Sequence, residues 1–306
     1  MVVSTIYVTR HGFRGNWTLD PQTGTYATNT PSPTGIASHP ALAAYGVLQA
    51  EQLATALLKI NDPPITRVYS SPFYRCLQTL EPFVKRTGLE IRGDNGLGEW
   101  YGLARFTHPS PASPSLLHSL FPSYSLTYAS SIIPSTNGES VADLHDRIAY
   151  ALQYTILYAD AEDQSSAEPD LLGSHTAILI CTHAASMIAI GRALTGRMPE
   201  DVCEDDFKTF TCSISKFERR KLSVQDGEAV SVGLGIPKVD WKDGKGVLGG
   251  WHCVTNGDCS HLKGGEERGW HFQGDEAFNE DGGTSDRRNE PQGDDDDDEA
   301  RHASKL

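Results

Sequence analysis

The chain has 306 residues, a formal net charge of −14 and six cysteines. This length allows one large core, and the acidic balance argues against direct binding to a nucleic-acid backbone. The N-terminal residues lack the basic and apolar segments of a secretory signal, and no stretch approaches the roughly eighteen apolar residues of a membrane span. We therefore expect a soluble intracellular protein with reduced thiols and no membrane association.

In the first third of the chain, predicted strands alternate with predicted helices. A short strand is predicted at about Thr5–Thr9, and further strands at 66–71 and 89–93. A helix is predicted over 43–60, where the apolar residues that recur at helical spacing are Val47, Leu48, Leu53, Leu57 and Leu58. A second helix is predicted over 72–88, with Pro72 near its start and Gly88 as its C-cap.

The middle of the chain repeats this alternation after an interruption. Residues 103–135 are rich in Ser and Pro and show little periodicity, so we expect a long loop or a small insertion at about 102–135. A helix at about 140–159, a continuous apolar strand at 176–182 and a helix ended by Gly196 follow. Strands that alternate with helices predict an α/β fold with a mostly parallel sheet.

The C-terminal third changes character. From Thr209 to about Ala277 the pattern is one of short strands and glycine turns, and we expect one domain over residues 1–278. From Glu266 to Leu306 there are 14 acidic and 5 basic residues. Residues 279–306 contain few apolar residues, so we predict a disordered acidic tail there.

The segment "HCVTNGDCSH" at 252–261 contains four residues of metal-ligand type. Its adjacent His and Cys and its long gap between cysteines fit no standard zinc-finger spacing. The pattern favours a hairpin around Asn256 and Gly257 over a zinc site. No metal site and no cofactor are predicted.

Two histidines each follow an apolar strand directly. His11 follows "IYVTR", and His183 follows "AILICT" at a strand-to-helix turn. Each could be an ordinary strand-end histidine. However, ligands bind at the carboxyl ends of strands in an open α/β sheet, above all where the strand order reverses. Two histidines placed in this way could meet in one crevice.

Three arginines accompany this pair. Arg10 and Arg14 flank His11, and Arg75 lies in the first turn of the predicted 72–88 helix. An arginine on a helix is often only a solvated side chain, but a helix N-terminus already favours anions. Guanidinium groups are planar, permanently charged forks that suit a phosphoryl group. Two histidines with three arginines therefore predict a phosphate pocket in which an imidazole is the nucleophile.

An ordered set of motifs resembles the histidine phosphatase superfamily, which includes the phosphoglycerate mutases. The motifs are "TRHG", "LAAYGVLQA", "SPFYRCLQT", "GEW" and "CTHAAS", and the resemblance covers about residues 4–275. Within the superfamily, "RHGFR", "SSPFYRCLQT" and "GEWY" look most like one branch, and "GEERGWHF" looks most like a fungal member of it. This branch contains the ubiquitin-associated, SH3-containing tyrosine phosphatases and a fungal subunit of the RNA polymerase III transcription factor complex IIIC. The resemblance implies a three-layer sandwich whose mostly parallel sheet is flanked by helices.

The resemblance also implies roles for individual residues. His11 would attack phosphorus and become a phosphohistidine. Arg10, Arg75 and His183 would neutralise the phosphoryl oxygens, and Arg14 matches the extra arginine of the tyrosine-phosphatase branch. Glu99 would protonate the departing oxygen and then activate water; its alternative is a solvent-facing loop carboxylate.

Three functions remain open at this point. The first is a metal-independent hydrolase of phosphomonoesters. The second is a phosphatase-like subunit of a transcription complex, whose main role is binding. The third, a mutase, is disfavoured because Phe13 stands where mutases have Glu or Gln, and because the 102–134 loop is poor in basic residues.

The last three residues provide a separate signal. Ser304, Lys305 and Leu306 form the peroxisomal targeting tripeptide when they stand at a C-terminus. They predict binding to a peroxisomal import receptor and a location in the peroxisome matrix or the cytoplasm. The resemblance to a subunit of a nuclear complex gives the nucleus as the alternative.

Overall fold

The computed structural model describes residues 2–166, 175–220 and 236–274. These residues form eight strands and five α-helices. The strands are β1 (Val2–Arg10), β2 (Trp17–Asp20), β3 (Thr25–Thr28), β4 (Ile65–Ser70), β5 (Ile91–Gly93), β6 (His175–Thr182), β7 (Ile214–Arg219) and β8 (Trp251–Asp258). The helices are α1 (Ala44–Leu57), α2 (Tyr74–Thr87), α3 (Pro114–Leu120), α4 (Val141–Ser166) and α5 (Ala184–Thr195).

Six of the strands form one sheet in the order β5-β4-β6-β1-β7-β8. Strands β5, β4, β6 and β1 are parallel to one another, whereas β7 and β8 add an antiparallel edge. Strand β6 comes late in the chain but inserts between β4 and β1. The strand order therefore reverses beside β1, and the crevice that forms at such a point is the usual ligand site of an open α/β sheet.

The two central strands are covered on both faces. Apart from His175, every residue of β6 is buried, and five consecutive residues of β1 are buried as well. Burial on both faces explains why these strands read as continuous apolar runs instead of alternating ones. Their register pairs Arg10 with Thr182, so the two strands end at the same level.

Helices cover the two faces of the sheet in pairs. Helices α1 and α2 pack together on one face with the core that contains Leu53, Leu77 and Leu179. Helices α4 and α5 pack on the other face with the core that contains Leu152 and Ile180. The structure is thus a three-layer α/β sandwich with a mostly parallel sheet, and the predicted fold class is confirmed.

The buried face of α1 differs from the prediction. Leu53 and Leu57 are buried, but Val47, Leu48 and Leu58 are exposed. Small and polar side chains face inward instead, because α1 packs directly against the backbone that follows β1. A Cβ added to Gly46 would lie 1.9 Å from the carbonyl oxygen of Phe13. The expectation that apolar residues mark the buried face is therefore wrong for this part of the helix.

The predicted loop or insertion at 102–135 contains the short helix α3. Ser113 caps it by accepting a hydrogen bond from the backbone N–H of Leu116, and Pro114 occupies its first turn. The prediction of a loop missed this helix because its seven residues are too short to show a period. None of the described helices is long and apolar enough to cross a membrane.

The 252–261 segment is not a hairpin. Strand β8 runs without a turn through Asn256 and Gly257 and pairs with β7, and the register shifts between Ile214 and Lys216. Gly257 has φ +73°, as expected of a glycine in a bulge. The hairpin prediction is wrong because Asn-Gly also suits a bulged strand. The predicted tail at 279–306 and the end of the predicted 1–278 domain lie outside the described residues.

Candidate active site

The ends of β1 and β6 bring the two predicted histidines together. The backbone N–H of His11 donates to the carbonyl oxygen of Thr182 at 3.0 Å. The rings of His11 and His183 are 5.3 Å apart, centroid to centroid, and both side chains are buried. His183 is also the N-cap of α5. Adjacent parallel strands that end in register therefore place two imidazoles in the crevice.

The hydrogen bond of His11 fixes its tautomer. Nδ1 lies 2.9 Å from the carbonyl oxygen of Gly12, which can only accept, so Nδ1 carries the proton. Burial and the positive charges of Arg75, His183, Arg10 and Arg14 lower the pKa of His11 well below its ordinary value. His11 is therefore a neutral imidazole at neutral pH, and its Nε2 carries a free lone pair.

Arg75 connects the other groups of the site. It enters from α2 and is fully buried, and its Nη2 donates to Oε2 of Glu99 at 2.8 Å. The same Nη2 lies 3.1 Å from Nδ1 of His183. Its Nη1 donates to the carbonyl oxygen of Ser38 at 2.9 Å. The guanidinium of Arg75 thus contacts both Glu99 and His183.

His183 is held by both of its ring nitrogens. Nδ1 lies 3.2 Å from Oε2 of Glu99, and Nε2 lies 2.7 Å from Oγ of Ser71. Burial alone would lower the pKa of His183, but the negative charges of the Cys76 sulfur, whose own pKa is lowered, and of the Glu99 carboxylate outweigh burial and raise the pKa of His183. As an imidazolium, His183 can donate from Nδ1 to Glu99 and from Nε2 to Ser71.

Glu99 is ionised in this setting. Burial raises the pKa of a carboxyl group, but the charges of His183 and Arg75 hold the pKa of Glu99 well below its usual range. Its side chain is 18% exposed, so the carboxylate borders both the pocket and solvent. The alternative of a free solvent-facing carboxylate does not describe this residue.

Arg10 and Arg14 complete the cationic wall. Nη1 of Arg10 donates to the carbonyl oxygens of Thr209 at 2.8 Å and Arg268 at 2.5 Å. Arg14 is half-buried, and its guanidinium carbon lies 5.5 Å from the centre of the Trp17 ring. Burial, with the charges of neighbouring arginines, lowers the pKa of both guanidinium groups. An oxyanion between them would relieve this crowding of positive charge.

Aromatic side chains line the side of the pocket near Arg14 and Glu99. The Phe73 ring lies 5.2 Å from His183 and 6.4 Å from Tyr101. Tyr101 is stacked on His108 at 4.8 Å. The hydroxyl of Tyr26, a residue of β3, donates a hydrogen bond to Nδ1 of His108 at 2.6 Å. The β2–β3 hairpin and the 102–135 insertion therefore meet beside the pocket.

Several residues of the site were not predicted from the sequence. Ser71 bonds His183, and Ser38 and Thr209 offer carbonyl oxygens to the arginines. His39 is fully buried beside Phe73, and neither of its ring nitrogens has a hydrogen-bond partner among the described residues. Arg268 and Ser71 had a usable signal in the sequence, since they lie in the motifs "GEERGWHF" and "SPFYRCLQT". The others are single polar residues in segments without a pattern.

The structure brings all six predicted site residues into one crevice. A neutral imidazole with an unprotonated Nε2 lies among three guanidinium groups and an imidazolium, with one carboxylate at the edge. This arrangement can bind a tetrahedral oxyanion and accept a phosphoryl group on nitrogen. In the described part of the chain, no group of three or more His, Cys, Asp or Glu side chains is arranged to hold a metal ion.

Comparison with known proteins agrees with this geometry. The family model of the histidine phosphatase superfamily (branch 1) matches residues 6–226. The transcription factor tau 55 kDa subunit of Saccharomyces cerevisiae is 33% identical over 279 residues, which cover 89% of this chain and 59% of that protein. The chain thus spans less than two thirds of the length of this relative.

A solved structure shares the fold. The ecdysone phosphate phosphatase of Bombix mori, in complex with tungstate, superposes with a TM-score of 0.54 at 17% identity. The match covers 78% of this chain and 98% of that one. At this identity the likeness concerns the fold alone. The family model, in contrast, spans both histidine motifs and most of the described sheet. The chain therefore belongs to the histidine phosphatase superfamily (branch 1).

Proposed function

We propose that this protein is a metal-independent phosphomonoester hydrolase that acts through a phosphohistidine on His11. The observation that carries this proposal is the tautomer of His11. Its Nδ1 is committed to the Gly12 carbonyl, so Nε2 is unprotonated, and the charges of three arginines act on the ring. A nucleophile that needs no deprotonation can attack phosphorus directly.

The proposed reaction has two steps. In the first, Nε2 of His11 forms a bond to phosphorus while the bond from phosphorus to the ester oxygen breaks, and Glu99 gives a proton to the departing oxygen. In the second, water attacks phosphorus, the P–N bond breaks, and Glu99 takes a proton from the water. Free His11 and inorganic phosphate result. Arg10, Arg14, Arg75 and His183 balance the charge of the phosphoryl oxygens throughout.

Glu99 must hold a proton for the first step, although it is ionised in the empty site. A bound phosphate ester would draw Arg75 and His183 onto its oxygens and bring its own negative charge close to Glu99. Both effects raise the pKa of a carboxyl group. Substrate binding therefore prepares the acid, either by uptake of a proton from water or by transfer of a proton from the ester itself.

The test is phosphate release from p-nitrophenyl phosphate by the full chain and by its His11→Ala variant. We expect turnover by the wild type only. The absence of release by the wild type, in a preparation that is folded by circular dichroism and binds vanadate, would contradict the proposed activity.

A second function is favoured by one specific observation, the 33% identity with the tau 55 kDa subunit over most of this chain. The protein would then serve as a subunit of a transcription complex and reside in the nucleus. Affinity purification of the tagged chain from its own cells tests this function. Recovery of the same transcription factor subunits with wild type and with His11→Ala would assign a binding role that is independent of catalysis.

The prediction of peroxisomal import depends on Ser304, Lys305 and Leu306, which lie outside the described residues. It stays a prediction. Microscopy of the chain with and without these three residues separates a peroxisomal from a nuclear location.

A further inference from the structure

The segment that follows β8 lies along the rim of the site, and the proposed reaction leaves its side chains unused. Its backbone is fixed at three points. The backbone N–H of Thr211 donates to the carbonyl oxygen of Glu267 at 3.2 Å. The hydroxyl of Thr209 donates to the carbonyl oxygen of Trp270 at 2.8 Å. Arg10 donates to the carbonyl oxygen of Arg268, which lies between them. Arg268 is therefore held next to a phosphate-binding arginine.

The backbone of Arg268 is strained in this position. Its φ is +54°, in the left-handed region that residues other than glycine seldom adopt. Such strain persists only where surrounding contacts impose it, and it is concentrated at functional sites. Here the carbonyl oxygens of Glu267, Arg268 and Trp270 all accept hydrogen bonds, and that of Arg268 accepts from Arg10. The backbone at Arg268 is thus held against the site.

The side chain of Arg268 is stacked on Phe13. Its guanidinium carbon lies 3.9 Å from the centre of the Phe13 ring, and Phe13 is two residues beyond His11. Stacking uses the flat face of the guanidinium and leaves the N–H groups at its edge free to donate. Phe13 therefore serves as a platform that orients a planar, charged fork at the mouth of the crevice.

Within residues 2–166, 175–220 and 236–274, Arg268 makes no ion pair. Neighbouring Glu267 is engaged elsewhere, because its carboxylate accepts from Nε2 of Gln49 at 3.3 Å and contacts the hydroxyl of Tyr45. Arg268 is exposed to solvent. An oriented cation without a partner, beside a phosphate pocket, is suited to a second anion.

We propose that Arg268, stacked on Phe13, binds a second anionic group, a carboxylate or a phosphate, on the leaving group of the substrate. This inference rests on the proposed function, since it takes the first anion to be the phosphoryl group at His11. Hydrogen bonds from guanidinium to carboxylate or phosphate are charge-assisted and form in pairs, so they discriminate strongly between charged and neutral leaving groups. Arg268 is then a specificity-determining residue.

Turnover of three matched esters tests the proposal. They are phenyl phosphate, 4-carboxyphenyl phosphate and 1,4-phenylene bisphosphate. We expect Arg268→Ala to lower kcat/KM at least about tenfold, mainly through KM, for the esters with a second anion. For phenyl phosphate the change should stay within about twofold. The two anionic esters separate carboxylate from phosphate as the preferred group.

Two variants control for other effects. Arg268→Ala keeps the backbone carbonyl that accepts from Arg10, and Arg268→Lys keeps the charge and should retain part of the preference. Arg197→Ala removes an exposed charge just beyond α5 and should leave all three esters unaffected. An equal loss on all three esters with Arg268→Ala would mean that Arg268 acts through Arg10. No loss on any ester would also overturn the proposal.

A binding measurement keeps this test independent of turnover. Calorimetry with phenylphosphonate and 4-phosphonobenzoate measures affinity for two ligands that cannot be hydrolysed. We expect the wild type to bind 4-phosphonobenzoate about tenfold more tightly and Arg268→Ala to bind the two alike. A wild type that shows this preference but turns over no ester would contradict the proposed function and support the site. Equal affinities in the wild type would contradict the site itself.

Discussion

Glu99 and Arg75 form an ion pair in which Oε2 of Glu99 lies 2.8 Å from Nη2 of Arg75. The carboxylate that the proposed reaction uses as an acid is therefore bound to a cation that the reaction needs for phosphate. A phosphoryl group must compete with Glu99 for Arg75. This competition couples substrate binding to the protonation of the acid, and it makes the role of Glu99 testable apart from that of His183.

Replacement of Glu99 by Gln should harm poor leaving groups most. An alkyl alcohol needs a proton as it departs, whereas p-nitrophenolate leaves nearly unaided. General acid catalysis contributes about 10²–10⁴-fold, and we expect a loss of that order in kcat/KM for alkyl phosphates. The loss for p-nitrophenyl phosphate should be much smaller.

His183→Ala is the matched comparison for Glu99→Gln. It removes charge from the phosphoryl side, so it should reduce kcat/KM for both kinds of ester alike. Equal losses for the two esters with Glu99→Gln would indicate that Glu99 only positions Arg75 and that the acid lies elsewhere.

His11→Ala should reduce turnover by at least about 10³-fold, because it removes the nucleophile of the proposed reaction. Acid quench of the wild type with ³²P-labelled substrate should trap an adduct that is labile to acid and stable to base. Gel filtration and circular dichroism control for folding of the variant. A labelled adduct that persists in His11→Ala would assign the nucleophile to another residue.

The pH profile of kcat/KM should be broad and should span the ordinary histidine pKa of 6.5. His11 acts as a neutral imidazole and its pKa is lowered, so activity should fall only when the pH drops below 6.5 and reaches that lowered pKa. His183 acts as a cation and its pKa is raised, so activity should fall when the pH rises above 6.5 through that raised pKa. The free enzyme determines both limbs.

His183→Gln provides the control for this profile, measured with the same substrate so that the ionisation of the ester is unchanged. The alkaline limb should disappear while the acid limb stays. An alkaline limb that survives in His183→Gln would show that another group, such as one of the arginines, is responsible.

Vanadate and tungstate should inhibit strongly, whereas EDTA should leave activity unchanged. Four cationic side chains already supply the positive charge that a phosphoryl group needs, and these oxyanions resemble the phosphoryl group in its transition state. Activity after dialysis against EDTA, with and without added Mg²⁺ or Zn²⁺, is the measurement. A loss that a divalent metal restores would place the reaction in another class.

Gly46→Ala should destabilise the protein, although the same change in an open helix would stabilise it by about 1 kcal/mol. The added Cβ would lie 1.9 Å from the carbonyl oxygen of Phe13, which is backbone and cannot move aside easily. Overpacking of this kind costs about 1–3 kcal/mol, so the net effect should be a loss. Urea denaturation measures the free energy of unfolding. A stabilised variant would show that α1 can shift away from the loop after β1.

Much of the fold could be predicted from the sequence because its signals are local. Apolar runs that alternate with amphipathic runs indicate parallel strands and helices, and Gly88 and Gly196 end their helices in the left-handed conformation, as expected. The buried face of α1 and the bulge at Gly257 could not be predicted in this way. Both depend on contacts with backbone that is distant in the sequence, and the pattern within one segment does not indicate such contacts.

The same division holds for the site. By itself the sequence determined that His11 and His183 lie at strand ends, since a histidine directly after a buried strand must lie at the end of that strand. Only the tertiary structure decided their states: β6 inserts beside β1, so His183 and Arg75 come to lie against His11 and Glu99. Burial and neighbouring charge then lower the pKa of His11 and raise that of His183. The sequence therefore names the groups, whereas their protonation depends on distances that exist only once the strands have paired.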